Sequence, residues 1–135
     1  MKKIFIDGAE GTTGLKIKER FQERNDIEIL KIDSELRKDE NEIRKFINAS
    51  DITFLCLPDA AAIEAVKLVD NPDTVIIDTS TAHRTAEGWT YGFPELNGSQ
   101  KEKIAASKRI ANPGCYATGF ISLVGMRLTI SLPRE

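Results

Sequence analysis

Short apolar runs alternate with longer segments of mixed polarity along this chain, and the alternation predicts strands and helices in turn. Runs typical of strands occupy residues 3–7, 27–32, 52–57, 75–78 and 109–111. Segments typical of helices occupy residues 15–24, 42–49, 60–69, 98–107 and 115–124. Strands that alternate with helices pair in parallel through right-handed crossovers. We therefore expect an α/β domain with a doubly wound parallel sheet.

The longest segment without a strand or helix pattern is residues 79–97. It follows the predicted strand at 75–78, and ligands of open α/β sheets bind beyond the carboxyl ends of strands. A loop of this length inside a small domain is more often functional than a plain connection. We expect it to border a binding site.

Composition narrows the class of protein. The chain has 135 residues, 41% hydrophobic and 30% charged, with a net charge of −2, which fits one folded domain and lacks a basic nucleic-acid footprint. No apolar run approaches the roughly 20 residues of a membrane span, and the first run stops at Asp7, so we expect neither membrane insertion nor a signal peptide. Two cysteines without a leader indicate free thiols in the cytoplasm. With one histidine, we expect no metal site.

Three glycines, Gly8, Gly11 and Gly14, lie between the first strand and the first helix. The spacing is G-x-x-G-x-x-G rather than G-x-G-x-x-G. At this position glycines let a pyrophosphate approach the backbone and the helix N-terminus. The loop predicts a Rossmann-like dinucleotide site; the alternative is a tight strand–helix connection without a ligand. Its expected cofactor contacts are Gly8, Glu10, Gly11, Thr12, Thr13 and Gly14.

The end of the second strand bears on the choice of cofactor. Asp33 favours NAD, because an acidic residue there binds the ribose diol. Ser34, Arg37 and Lys38 favour NADP, because cations there bind the 2′-phosphate. The alternative is a solvated charged loop. We expect NADP(H), mostly from the resemblance described below.

A proline–glycine turn, residues 112–114, places Cys115 in the first turn of a predicted helix. The helix dipole favours a thiolate there, and a thiolate can attack an acyl carbon to form a thioester. Backbone N–H groups at the same helix end could stabilise the oxyanion. The alternative is a small apolar residue at a helix start. Cys56 lies inside an apolar strand, and we expect it to be inert.

The loop after the strand at 75–78 contains His83 and Arg84. The planar guanidinium of Arg84 suits a phosphate or a carboxylate. The alternative is a surface arginine paired with Glu87 or Glu95. A lone loop histidine is more often structural or substrate-orienting than a general base, so we do not expect His83 to be the catalytic base.

Five stretches carry a family resemblance: residues 8–14, 54–59, 78–84, 89–96 and 111–116. In this order they resemble the shorter, type 2 branch of the N-acetyl-gamma-glutamyl-phosphate reductases, from Met1 to about Val124. The resemblance implies an arginine-biosynthesis enzyme that reduces N-acetylglutamyl 5-phosphate to the semialdehyde with NADPH. Cys115 would displace phosphate, and hydride from the nicotinamide would reduce the thioester.

The resemblance also implies roles for individual residues. Cofactor contacts extend to Leu57 and Pro58, and substrate contacts come from Ser80, His83, Arg84 and Asn112. Family members are more than twice this long and are expected to be homo-oligomeric, and their second domain supplies a catalytic histidine that no residue here matches. We divide the chain into a dinucleotide-binding domain (1–111), a nucleophile turn and helix (112–124) and an atypical tail (125–135). We expect this chain alone to bind nucleotide but to turn over substrate weakly or not at all.

Other readings compete with this one. The runner-up enzyme is aspartate-semialdehyde dehydrogenase, which uses the same thioester chemistry; residues 81–84 and 89–96 favour the acetylglutamyl enzyme. A non-catalytic dinucleotide-binding module predicts an ordinary Cys115, and an inert folded fragment predicts no nucleotide binding. We also expect an exposed apolar patch at Phe120, Ile121 and Leu123, which favours self-association.

Overall fold

A computed structural model describes the backbone of residues 1–131 and the side chains of residues 1–124. Its strands are β1 (Lys2–Asp7), β2 (Ile27–Leu30), β3 (Ile52–Leu55), β4 (Val75–Asp78), β5 (Thr90–Tyr91) and β6 (Arg109–Ala111). Its helices are α1 (Thr12–Gln22), α2 (Glu40–Ala49), α3 (Asp59–Val66), α4 (Gln100–Ala106) and α5 (Cys115–Ser131), with a 3₁₀ turn at Pro94–Leu96.

The strands form one parallel sheet in the order β2-β1-β3-β4-β6-β5. The chain leaves β1 towards β2 on one side and continues through β3 and β4 on the other, so the winding direction reverses between β1 and β3. This topology confirms the expected doubly wound, Rossmann-like sheet. Open α/β sheets bind ligands at such a switch point, beyond the carboxyl ends of the strands.

Helices cover both faces of the sheet. Phe5 of β1 stacks on Phe46 of α2 with ring centroids 5.4 Å apart. Phe54 of β3, which pairs in register with Ile6, contacts Phe21 of α1 at 5.7 Å. Because successive strand residues point to opposite faces, α1 and α2 lie on opposite sides of the sheet. The buried core consists of Phe5, Ile47, Leu55, Ala62, Ala65, Leu68 and Ile76.

The expected loop at 79–97 contains the 3₁₀ turn at Pro94–Leu96 and a short strand, neither of which the sequence pattern indicated. Thr90 and Tyr91 form β5, which pairs in parallel with β6 at the sheet edge. Two residues are too few to show an alternation of polarity, so the pattern could not reveal this strand. Helix α5 extends to Ser131, beyond the expected end near Val124; residues 132–135 of the expected tail lie outside the described part of the chain.

Helix α5 carries an apolar stripe on the surface. Phe120 is 68% exposed and Leu123 is 70% exposed, whereas Ile121 is partly buried. The expected exposed patch is therefore present in part. Among the described residues, no helix combines the length and the apolar character that crossing a bilayer requires.

Candidate active site

Four loops begin at the carboxyl edge of the sheet, after β1, β3, β4 and β6. Backbone hydrogen bonds join them in series: Cys56 N–H donates to Asp7 O, Thr79 N–H to Leu55 O, and Asn112 N–H to Asp78 O, each at 2.8 to 3.0 Å. The segments that carry the glycines, Cys56, Arg84 and Cys115 therefore leave the sheet side by side.

The glycine loop packs tightly against its neighbours. Gly8 has a φ of +81°, and a Cβ there would overlap the carbonyl oxygen of Cys56. A Cβ at Gly14 would overlap the Gly8 carbonyl oxygen. These two positions need glycine because backbone, which cannot easily move, occupies the space of a side chain. The loop thereby brings the first turn of α1 close to the sheet, as the dinucleotide prediction requires.

A pocket of about 420 Å³ lies between this loop, α1 and β2. The predicted cofactor residues that line it are Gly8, Glu10, Gly11, Ser34, Arg37, Lys38 and Leu57. Thr12, Thr13, Gly14 and Pro58 are not among its lining residues. The pocket also includes Leu15 and Lys18, which sequence reasoning missed; their places on the first turns of α1, just after the glycine loop, could have indicated them.

Cations border this pocket. Lys18, Lys31, Arg37 and Lys38 line it with two carboxylates, of Asp7 and Glu10. Arg37 forms an ion pair with Glu10, and both side chains are exposed. Four cations around an apolar floor favour an anionic ligand.

Asp33, the residue that favoured NAD, is absent from the pocket lining. Its carboxylate instead accepts a hydrogen bond from the Glu35 N–H at 3.2 Å, within its own turn. This local role is typical of aspartate in turns.

Asp7 is the one buried carboxylate at the pocket. Burial raises its pKa from 3.8 to about 6, and a hydrogen bond from the Gly8 N–H opposes the shift. Asp7 also borders a second pocket of about 430 Å³ between α2 and α3, which shares Arg37, Lys38 and Leu57 with the first. The carboxylate therefore lies between the two cavities.

Cys115 is exposed and is the first residue of α5. The turn before it contacts Arg84: the guanidinium Nε donates to the Asn112 carbonyl at 3.1 Å. A Cβ at Gly114 would lie 2.6 Å from Arg84 Nη1. The guanidinium thus lies against Gly114, the residue that precedes Cys115. Among residues 1–124, no ion pair joins Arg84 to an acidic side chain. The alternative, in which Arg84 pairs with Glu87 or Glu95, is therefore not what the structure shows.

Cys56 has a different environment. It is half-buried just after β3, and burial raises the pKa of its thiol to about 11. The Asp7 and Asp78 carboxylates raise it further, whereas a hydrogen bond with Thr79 lowers it. A thiol held protonated in this way is a poor nucleophile, which agrees with the expectation of an inert cysteine.

The loop between β4 and Arg84 turns its polar groups inward. The buried Asp78 carboxylate accepts hydrogen bonds from the Ser80 N–H at 2.9 Å and the Ser80 hydroxyl at 2.8 Å. His83 Nδ1 lies 2.6 Å from Asp78 Oδ2, and the imidazole stacks on Trp89 with centroids 4.0 Å apart. Ser80 and His83 are both buried, so direct substrate contact by either one stays a prediction.

A second carboxylate holds the outer side of this loop. Asp59, the first residue of α3, accepts hydrogen bonds from the Thr81 N–H at 2.9 Å and from the Thr81 hydroxyl. The Thr81 hydroxyl is the largest cause that holds the pKa of Asp59 below its ordinary value. Sequence reasoning gave no role to Asp59, Asp78 or Trp89, although all three lie in the stretches that carried the family resemblance.

The described residues contain no group of three or more histidine, cysteine, aspartate or glutamate side chains suited to a metal ion. The groups that the sheet edge does bring together are an exposed thiol, an adjacent guanidinium and a cation-lined pocket. A thiol beside a guanidinium is a suitable pair for thioester formation from an anionic acyl donor.

The chain is similar in sequence to a known cofactor-binding domain family and to curated reductases. The family model for the semialdehyde dehydrogenase NAD-binding domain matches residues 3–105. N-acetyl-gamma-glutamyl-phosphate reductase 2 of Nostoc sp. (strain PCC 7120) is 56% identical over 122 residues, which cover 90% of this chain and 38% of that protein. The N-acetyl-gamma-glutamyl-phosphate reductase of Mesorhizobium japonicum is 52% identical over 130 residues, covering 96% and 42%. The chain thus spans about two fifths of the length of these curated relatives.

Solved structures show the same fold. Aspartate semialdehyde dehydrogenase from Francisella tularensis superposes with a TM-score of 0.62 at 19% identity, covering 84% of this chain and 36% of that one. Aspartate semialdehyde dehydrogenase II from Vibrio cholerae gives a TM-score of 0.57 at 17% identity, covering 86% and 42%. At these identities the likeness shows the fold alone.

Proposed function

The chain belongs to the family of semialdehyde dehydrogenase NAD-binding domains, and from this membership we propose that it carries the cofactor site and the nucleophile of an N-acetyl-gamma-glutamyl-phosphate reductase. The proposed reaction is the NADPH-dependent reduction of N-acetylglutamyl 5-phosphate to N-acetylglutamate 5-semialdehyde, a step of arginine biosynthesis. The relatives that bear this name are 52% and 56% identical to the chain. The two aspartate semialdehyde dehydrogenases compared above are 17% and 19% identical to it.

One observation carries the proposal: the Arg84 guanidinium lies against the turn that presents Cys115. An acyl phosphate brings a carbonyl carbon for the thiolate and a phosphate for the cation. A guanidinium suits phosphate because its planar donors match phosphate oxygens. Arg84 and Asn112 would contact the substrate directly, and Ser80 and His83 would support them.

The proposed chemistry follows from the positions of these groups. The Cys115 sulfur attacks the acyl carbon, the bond from that carbon to the phosphate oxygen breaks, and a thioester forms while phosphate leaves. Arg84 would neutralise the departing phosphate, and backbone N–H groups at the start of α5 would face the developing oxyanion. Bound NADPH would supply the hydride that converts the thioester to the aldehyde.

The pocket fits a phosphate-bearing dinucleotide. A Cβ at Gly8 would overlap the Cys56 backbone and one at Gly14 would overlap the Gly8 backbone, so the two glycines let the loop pack closely enough for the start of α1 to face a bound pyrophosphate. We favour NADP over NAD because Ser34, Arg37 and Lys38 line the pocket while Asp33 does not. A 2′-phosphate would compete with Glu10 for Arg37.

A fluorescence titration tests the cofactor choice. We expect saturable binding that is tighter for NADPH than for NADH. The R37Q and K38Q variants should each lose about tenfold in NADPH affinity, which corresponds to ~1.4 kcal/mol, with little change for NADH. The matched control is K101Q, on exposed α4 outside the pocket lining. Equal losses for both nucleotides would reject the NADP assignment, and no binding at all would reject the cofactor site.

A protection assay tests the substrate without requiring turnover. An aldehyde product adds to the Cys115 thiol as a thiohemiacetal, which blocks alkylation. N-acetylglutamate 5-semialdehyde should protect Cys115 from iodoacetamide at concentrations about tenfold below those of aspartate semialdehyde. The reverse order would favour an aspartate-semialdehyde dehydrogenase, and protection by neither would leave a non-catalytic dinucleotide-binding module as the better account.

The setting of the protein completes the proposal. We place it in the cytoplasm because both cysteines are free, and without a nucleic-acid partner because the net charge is −2. A homo-oligomer is proposed on the family resemblance alone. Sedimentation of the purified chain would test it, since a monomer at micromolar concentration contradicts it.

A further inference from the structure

The segment from Thr79 to Arg84, here called the arginine loop, is anchored from inside by the carboxylate of Asp78. That carboxylate is fully buried and takes up two hydrogen bonds from Ser80 and one contact with His83. A buried carboxylate needs such partners because they replace the water that it has lost. The loop is therefore folded back onto the end of its own strand.

The imidazole of His83 is fixed on two sides. Its edge meets the Asp78 carboxylate at 2.6 Å, and its face lies on the Trp89 ring at 4.0 Å with an interplanar angle of 15°. The His83 side chain is 11% exposed, so little of it can touch a ligand. Because His83 directly precedes Arg84, fixing this ring fixes the point at which the Arg84 side chain begins.

A separate link holds the loop from outside. The exposed Thr81 donates from its N–H and its hydroxyl to Asp59 at the start of α3. Since Asp59 follows Pro58 directly, the link joins the loop after β3 to the loop after β4. A polar contact between two exposed groups adds little to the free energy of unfolding. The role that remains for the Asp59–Thr81 link is to fix the position of the arginine loop.

Arg84 makes two close contacts at the far end of the loop. Its Nε donates to the Asn112 carbonyl, and its Nη1 occupies the space that a side chain at residue 114 would fill. A shift of the loop by about an ångström would break this fit, and misplacements of that size are costly at reacting centres.

We infer that His83 is a positioning residue: the Asp78–His83–Trp89 stack, together with the Asp59–Thr81 link, holds Arg84 against the turn that carries Cys115. The inference rests on the proposed function, because it explains how the phosphate-facing cation of that site is kept in place. It assigns His83 neither proton transfer nor substrate contact.

The test compares two alkylating reagents on the whole chain. Iodoacetate is an anion and iodoacetamide is neutral, so the ratio of their rates at Cys115 reports the positive charge beside the thiol. We expect the ratio to fall about fivefold in R84Q. The ratio in H83A should fall to the same value, whereas the ratio in H83N should fall less, because an asparagine amide can replace the contact with Asp78 but not the stack on Trp89.

The exposed link gives a second pair of variants that should not disturb folding. T81V removes the hydroxyl that binds Asp59, and T81S keeps it. We expect the rate ratio to fall in T81V and to be retained in T81S. If H83A fails to fold, as judged by circular dichroism, this pair decides: an unchanged ratio in T81V overturns the inference.

The neutral reagent separates positioning from base catalysis. If His83 activated the thiol, both H83A and H83N would slow the reaction with iodoacetamide; a positioning residue leaves that rate within about twofold. Fluorescence of Trp89, the only tryptophan in the chain, should change in H83A and not in R84Q.

Two failures remain distinguishable. If R84Q lowers the rate ratio and folded H83A does not, the positioning role is wrong while the anion site of the proposed function stands. If R84Q leaves the ratio unchanged, Arg84 does not act on anions at Cys115, and both the phosphate site and the positioning role fail.

Discussion

The two cysteines occupy equivalent places in the fold and have opposite surroundings. Each follows a strand at the carboxyl edge of the sheet, Cys56 after β3 and Cys115 after the turn that ends β6. Cys56 is half-buried between two carboxylates, and its pKa is raised to about 11. Cys115 is exposed, begins a helix and lies one residue from the Arg84 contact. A place after a strand at this edge is therefore not enough to make a thiol reactive. Cys56 and Cys115 differ in the charges around them and in their exposure to solvent.

A glycine lies against each of these sites, for a different reason. At Gly8 the Cys56 backbone occupies the space of the missing side chain, whereas at Gly114 the end of the Arg84 side chain occupies it. Backbone cannot move aside at small cost, but a guanidinium can. The first glycine therefore serves the fold and the second serves the site.

The largest expected effect is a difference in reactivity between the two thiols. At pH 8, iodoacetamide should modify the exposed Cys115 about 100-fold faster than Cys56, because the rise in the pKa of Cys56 from 9.0 to about 11 lowers the thiolate fraction of that half-buried residue by about this factor. Peptide mass spectrometry of the folded chain measures both rates. In a C115S variant, labelling of Cys56 should rise about tenfold per pH unit up to about pH 11. Comparable labelling rates of Cys56 and Cys115 at pH 8 would contradict the proposed difference between the two thiols.

Substitution of the two glycines should affect different properties: the stability of the fold at Gly8 and the geometry of the site at Gly114. G8A should lower the free energy of unfolding by at least ~3 kcal/mol, because it combines a positive φ with backbone overlap. G114A should cost about 1 kcal/mol or less, because Arg84 can swing away, but it should slow modification of Cys115 by iodoacetate. Urea unfolding measures the first effect. Similar losses of stability in both variants would contradict the distinction.

Asp7, which contributes to the raised pKa of Cys56, gives the stability a pH dependence. Its folded pKa of about 6 exceeds the unfolded value of 3.8, so the folded state binds the extra proton between these values. Its contribution to stability is therefore fully present below pH 3.8 and is lost as the pH rises to about 6. D7N should stabilise the chain at pH 7 by up to about 3 kcal/mol. Urea unfolding between pH 4 and 7 measures how the free energy of unfolding depends on pH. The same pH dependence in D7N as in the original chain would contradict the prediction.

The smallest effect concerns the Thr79 hydroxyl, which donates to the Leu55 carbonyl at 3.0 Å and lowers the pKa of the neighbouring Cys56 thiol. T79V should raise the pKa and slow labelling of Cys56 by about threefold at pH 9, in the C115S background. T79S keeps the hydroxyl and serves as the control. Faster labelling in T79V would show that exposure of Cys56, rather than its ionisation, limits the reaction.

Most of the sheet could be predicted because its strands and helices have distinct periodicities, and the glycine loop and the Cys115 turn are local motifs. Strand β5 was missed because its two residues pair only through contacts distant in sequence. The same limit hid the approach of Arg84 to Gly114 and the link of Asp59 to Thr81. Local spacing indicates which residue types are present, but the sheet topology decides which of them meet.

The central claim is that Cys115 accepts an acyl group from an acyl phosphate with Arg84 beside it. The most direct measurement is site-resolved mass spectrometry of the folded chain after incubation with acetyl phosphate, together with assay of the phosphate released. We predict one hydroxylamine-sensitive acetyl group on Cys115, none on Cys56, one phosphate per acetyl group, and a rate about tenfold lower in R84Q. Acetylation of Cys115 no faster than that of a free cysteine, and equal in R84Q, would contradict the account.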